Sequence, residues 1–182
     1  MARVTYGLSS VHYSVITETE GVITYGTPVA IPGAVTLTLE PKGEQSDFFA
    51  DNLVYFSSGS NQGYDGTLEL ALLPEHFRKD VLGEIAETED GVLIEVADAK
   101  AKKIALLFQF EDDVKGTRHA LFYCSVSKPG LGSSTTTETI EPQTQELTFV
   151  ASPRPTDKRV KASTGEATPE AVYTGWFEEV YA

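Results

Sequence analysis

The sequence predicts a mainly β protein, a β-sandwich or barrel with one or two short flanking α-helices. Two observations carry this. Apolar residues recur with a period of two over many short runs separated by turn residues, and helical spacing is confined to two brief stretches.

Taken in chain order, residues 11–17 and 21–29 read as strands joined through the polar turn Glu18-Thr19-Glu20-Gly21. Val35-Thr36-Leu37-Thr38-Leu39 alternates apolar and hydroxyl side chains, as a half-buried strand does, because successive Cβ atoms point to opposite faces. Thr67-Leu68-Glu69-Leu70-Ala71-Leu72 repeats the pattern after the turn signal Gly63-Tyr64-Asp65-Gly66. Residues 103–111 and 117–127 read as a hairpin whose loop ends in Gly116, and residues 146–151 as a further strand.

The first helical stretch opens at Pro74, whose missing N–H costs nothing in a first turn, and stops at Gly83. It gathers Phe77, Val81 and Leu82 on one face. The second opens at Thr168-Pro169 and runs towards Tyr181, with Val172, Tyr173, Trp176, Phe177 and Val180 on one broad apolar face. Gly175 inside it costs about 1 kcal/mol relative to alanine. That face must cover the sheet or a neighbouring subunit. Two segments read as irregular. Segment 41–64 surrounds a strand-like Leu53-Val54-Tyr55-Phe56, and segment 128–144 is rich in Gly, Ser and Thr. Long loops on a β scaffold usually make contacts.

A chain of 182 residues suits one domain spanning 1–182. Its one cysteine, Cys124, excludes an intrachain disulfide and suits a reducing compartment. The start Met1-Ala2-Arg3-Val4-Thr5-Tyr6 has no signal-peptide core, and no apolar run reaches the roughly 20 residues of a membrane span. The expectation is a soluble chain made in the cytoplasm, with no membrane partner. A net charge of −13, from 27 acidic and 14 basic residues, argues against tight nucleic-acid binding, which draws its affinity from Lys and Arg on phosphates.

No catalytic, metal or cofactor constellation is evident. His12, His76 and His119 stand apart, without the spacing of a transition-metal site. Cys124 has no basic neighbour to activate it and reads as core packing. Glu111-Asp112-Asp113 lacks the ligand spacing of a calcium loop and reads as a hairpin tip. Gly130-Leu131-Gly132-Ser133-Ser134 lacks the lysine and the helix of a phosphate loop. The charge pattern is more informative. Glu84, Glu87, Glu89, Asp90, Glu95 and Asp98 form an acidic block, and Arg154, Lys158, Arg159 and Lys161 a basic cluster. Pairing of such patches between copies would set register and build rings or filaments.

Several segments in order resemble one known family. They include Tyr6-Gly7-Leu8-Ser9-Ser10-Val11-His12-Tyr13-Ser14-Val15-Ile16-Thr17, Ile23-Thr24-Tyr25-Gly26-Thr27-Pro28-Val29-Ala30-Ile31-Pro32-Gly33-Ala34-Val35 and Phe49-Ala50-Asp51-Asn52. Gly63-Tyr64-Asp65-Gly66-Thr67-Leu68-Glu69 and Pro74-Glu75-His76-Phe77-Arg78-Lys79-Asp80-Val81-Leu82-Gly83 continue the series. Ala105-Leu106-Leu107-Phe108, Gly116-Thr117-Arg118-His119 and Ile140-Glu141-Pro142-Gln143-Thr144 complete it. Together they resemble the phi13-type major tail proteins of long-tailed bacteriophages. The resemblance implies a tail-tube subunit located in the virion tail. Hexameric rings of such subunits stack into a hollow tube around a tape-measure protein, between tail-tip and terminator proteins. DNA passes through without specific binding, and no catalytic residues or cofactors are implied. The expected self-assembly contacts are Phe48, Phe49, Tyr55, Phe56, Arg154, Lys158, Arg159, Lys161, Trp176 and Phe177. The competing reading is a monomeric virion-associated β-sandwich binding module, for instance for carbohydrate, using Tyr55, Phe56 and Tyr64 as an aromatic platform.

Overall fold

Antiparallel pairing dominates the computed structural model, which describes residues 5–86, 90–112, 115–135 and 142–182. The elements in order are β1 (Thr5–Thr19), β2 (Val22–Tyr25), β3 (Val29–Ala30), β4 (Ala34–Lys42), β5 (Gln45–Ala50), β6 (Leu53–Gly59), β7 (Gly63–Leu70) and α1 (Glu75–Asp80). They continue with β8 (Ile85–Ala86), β9 (Leu93–Ile94), β10 (Ile104–Asp112), β11 (Thr117–Val126), β12 (Gln145–Ala151), β13 (Lys161–Ser163), α2 (Glu170–Thr174) and a 3-10 turn over Gly175–Phe177. A nine-stranded sheet runs in the order β2-β1-β10-β11-β12-β7-β4, with β13 added beside β11 and β3 beside β1. This mainly β architecture with two short helices is the sandwich-like class that the alternation predicts.

The ladders follow most of the sequence signals, but segment 21–29, read as one strand, is two, β2 and β3, with residues 26–28 outside regular structure between them. β1 turns into β2 through Glu20-Gly21, both at positive φ (51° and 80°), the backbone that a two-residue hairpin requires. On β4 a bulge between Ala34 and Thr36 shifts the register. Leu37 and Leu39 face inward as expected, but Val35 is turned out to solvent and Ala34 takes its place against the core. On β7, Leu68 and Leu70 are buried. Leu72 lies beyond the strand and is exposed.

Ile104-Ala105-Leu106-Leu107-Phe108 is an unbroken apolar run because β10 is covered on both faces. Ile104, Leu106 and Phe108 join Val11, Tyr13, Leu68, Leu147 and Phe149 in the main core, which α1 closes with Phe77, Val81 and Leu82. Ala105 and Leu107 face the other way, with Ala120 and Phe122, under Trp176 and Val180. The chain therefore has a two-sided centre.

Helix α1 sits where it was expected, capped by Pro74 and followed by Gly83 at φ 75°. Its anchor is Tyr13, whose hydroxyl lies 3.0 Å from Asp80 Oδ2 and 2.9 Å from His76 Nδ1. Burial pushes the Tyr13 phenol well up from its ordinary value, and the nearby Asp80 carboxylate adds to that. The C-terminal helix is shorter than its apolar spacing suggested. At Gly175 it tightens into the 3-10 turn, and no helix continues to Tyr181. The Trp176 Nε1–H donates to the His119 carbonyl at 3.3 Å. The Arg118 guanidinium lies 3.9 Å from the Tyr173 ring and donates to the Tyr173 carbonyl, so cation–π contact and hydrogen bonding both hold the helix.

Candidate functional site

The ladder of β4 and β7 does not stop where the body of the sheet stops. It reaches Lys42 opposite Gly63, and the Gln62 N–H donates to the Lys42 carbonyl at 2.8 Å. The Ser60 N–H then donates to Glu44 at 3.0 Å, and β5 pairs with β6 from Gln45↔Gly59 to Ala50↔Leu53. Asp51 and Asn52 close the ribbon, both at positive φ (53° and 61°). Segment 41–64, which reads as irregular from sequence, is thus the two-stranded extension of an edge hairpin. At about 3.3 Å per residue the ribbon reaches roughly 25 Å beyond its root. At that root Gly63 (φ 103°) runs so close to the backbone of Ala151 that a Cβ would lie 1.8 Å from its carbonyl oxygen.

No residue of this arm, from Gln45 to Gly59, is buried. Phe48 is opposite Phe56, and Phe49 is opposite Val54, with Tyr55 the extra residue of a bulge between the two pairs. Consecutive residues point to opposite faces, so both faces of the arm carry large apolar groups. Phe48, Phe49, Leu53, Val54, Tyr55 and Phe56 are 53–77% exposed. Together they present on the order of 700 Å² of mostly apolar surface, divided between the two faces of a ribbon that nothing in its own chain covers. Polar support is local: the Ser57 hydroxyl donates to Asp47 at 2.6 Å, and the Gln45 amide donates to Ser57 at 3.0 Å. A two-stranded ribbon in water is marginal by itself.

The expected contact residues separate into groups. Phe48, Phe49, Tyr55 and Phe56 come together on the arm. Lys158, Arg159 and Lys161 are exposed, with Lys161 Nζ 4.9 Å from the Tyr64 ring beside the arm's root. Arg154 is not part of that surface. It is 7% exposed, its guanidinium is bound to Asp157, and it donates to the Tyr25 hydroxyl at 3.2 Å. The Arg154 pairing holds the Asp157 carboxyl far below its ordinary range. Trp176 is likewise buried in its own chain, 3% exposed, because the sheet beneath it needs a cover. Phe177 is half-buried and stacks on His12 at 4.7 Å. Leu53 and Val54 belong with the arm although the contact reading passed over them. The signal was Asp51-Asn52 flanked by apolar pairs, the pattern of a two-residue hairpin.

The acidic block is partly committed inside the chain. Glu84 is buried against Arg78, whose Nη2 lies 2.8 Å from Oε2, and Glu95 pairs with Lys128 at 2.6 Å. Glu87 and Glu89 lie outside the described residues, as do Asp113 and residues 136–141 of the Ser/Thr-rich segment; residues 128–135 carry no regular structure. A different acidic surface emerges on the outer face of β4, β7 and β12. Cross-strand registers there align Thr36, Glu69 and Glu146 in one row, Thr38, Thr67 and Thr148 in the next, and Glu40, Asp65 and Val150 in a third. Hydroxyl donors from Thr144 and Thr36 hold the Glu69 carboxyl below its ordinary value, which favours the charged form of that residue.

Among the described residues, no group of His, Cys, Asp and Glu side chains converges as a metal site, and no helix is long and apolar enough to cross a membrane. Cys124 is buried, and burial pushes its thiol up, away from reactivity. The aromatics of the binding-module reading do not share one surface. Tyr55 and Phe56 are on the arm, while Tyr64 is half-buried at its root beneath Lys161. No protein-family model matches the chain, and no curated protein matches it.

Proposed function

We propose that this chain is a structural protomer that assembles with copies of itself through the β5–β6 arm, as the major tail protein of a bacteriophage tail tube. The observation that carries the reading is the arm. Large apolar side chains cover both faces of a ribbon that its own chain leaves uncovered, and surface of that kind marks a protein contact. The ordered resemblance to phi13-type tail proteins supplies the form of the assembly: stacked hexameric rings enclosing a channel. Tape-measure, tail-tip and terminator proteins are its partners on this reading, and the virion tail its location.

The acid-and-threonine face of β4, β7 and β12 is then the candidate channel wall. Each cation on such a wall would hold DNA by releasing counterions, whereas carboxylates and hydroxyls let it slide. Lys42 lies beside this face, within 3.4 Å of Asp65. Light scattering over rising protein concentration tests the proposal. Growth of rings or tubes is the expected outcome. A chain that stays monomeric up to millimolar concentration, and also fails to add to tail-tip complexes, would overturn it.

A further inference from the structure

We infer that the arm of one copy docks on the basic segment 153–161 of the next copy, with the arm's acids meeting Lys158 and Lys161. This rests on the self-assembly reading and names the surface that receives the arm. Three observations converge on it.

The first is charge. Residues 43–62 carry Glu44, Asp47 and Asp51 and no Lys or Arg. The loop carries a dense group of bases, and its acid, Asp157, is already bound by the Arg154 guanidinium and by Arg159, with Nε 3.1 Å away. Lys158 and Lys161 therefore face outward without a competing carboxylate from that loop. Copies of a chain with net charge −13 repel one another, and a basic surface opposite an acidic one offsets that repulsion and fixes which patches meet.

The second is order. The loop is held in shape before any partner arrives. The Arg154 N–H donates to the Arg159 carbonyl at 2.8 Å, and the Lys158 N–H donates to the Arg154 carbonyl at 2.8 Å. Buried Arg154 pins the turn onto Tyr25, with its guanidinium 5.0 Å from the Phe122 ring. A preformed receptor loses little freedom on binding.

The third is reach. Lys161 lies against Tyr64 at the root of its own arm, and the ribbon extends about 25 Å away from there. Asp51 is at the tip and Asp47, opposite Ser57, is about 15 Å from the root; both are beyond the reach of a lysine on the chain's own loop, so another copy must supply them. Two different patches in contact make a head-to-tail arrangement, which closes into rings or continues as filaments.

A charge exchange tests this on the full chain. The arm variant is Asp47→Lys with Asp51→Asn, since asparagine keeps the positive φ of the turn. The loop variant is Lys158→Glu with Lys161→Glu. Each should raise the concentration of half-assembly roughly tenfold or more, and the two combined in one chain should bring it back to within about threefold of the parent. Thermal melting of each variant verifies that it is folded, and Lys158→Gln with Lys161→Gln serves as a milder loop change expected to shift assembly in the same direction. Suppose instead that Phe48→Thr with Phe56→Thr abolishes assembly while every charge variant assembles like the parent. The arm would then be a contact with a different receptor, and this inference fails while the self-assembly reading stands. A parent chain that never assembles overturns both.

Discussion

Replacing Phe48 and Phe56 together by threonine separates the arm's part in folding from its part in assembly. The two rings are a cross-strand pair, each 62% exposed in the single chain. Losing such a pair costs the fold up to about 1 kcal/mol. For a chain of this size that lowers the melting temperature by about 2–4 °C. Assembly has far more to lose. Full burial of a phenylalanine gives about 1.5–3 kcal/mol, so covering the part still exposed gives roughly 1–2 kcal/mol per ring. Removing both rings therefore weakens each contact by about 2–4 kcal/mol, a rise of roughly 30- to 1000-fold in the half-assembly concentration. Light scattering reads the second quantity and a thermal melt reads the first. A change in half-assembly of less than about threefold would refute the reasoning. So would a melting temperature lowered by more than about 10 °C, which would mean that the rings pack on their own chain.

Other expectations concern the body that carries the arm. Gly66→Ala should destabilise by about 1–3 kcal/mol through overpacking, because the new methyl would lie 2.3 Å from Cζ of Phe149. Urea titration measures this, and adding Phe149→Leu should recover part of the loss. Trp176→Ala should cost about 3–5 kcal/mol in the same titration, yet leave half-assembly unchanged at temperatures where the chain stays folded. Acidification should destabilise the fold between pH 6.5 and 4. Burial, assisted by the Lys161 ammonium, lowers His119 from its ordinary 6.5 to about 4, so in that window the unfolded chain binds a proton that the folded chain refuses. Stability therefore rises with pH across that range and levels off above it. His119→Gln should flatten the slope in melts recorded at pH 4.5 and 7; an unchanged slope would assign it to other groups.

Much of the fold was legible because one face of most strands is buried and the other is not. Thr67 to Leu70 alternates because Leu68 and Leu70 are core. Residues 104–108 do not alternate because the C-terminal segment covers their second face. Val35 and the end of the second helix depart from the sequence pattern for local reasons. A bulge and a 3-10 turn each move one residue out of phase, and neither leaves a periodic trace. The arm was the larger miss. Periodicity detects strands through the contrast between a buried and an exposed face, and β5 and β6 have no buried face. Of the candidate site, the arm aromatics were legible as large apolar residues in a long segment expected to make contacts; their exposure on both faces was not. The internal fate of Arg154 was not, because nothing in the local sequence says that Tyr25, far away in the chain, lies against it.

Cryo-electron microscopy of the concentrated chain addresses the central claim most directly, since it shows both whether copies join and what covers the arm. The expected image is rings or tubes in which each β5–β6 ribbon lies against the next copy, with Phe48 and Phe56 buried at the contact. Single particles at every concentration, or tubes in which the ribbons project bare into solvent, would contradict it.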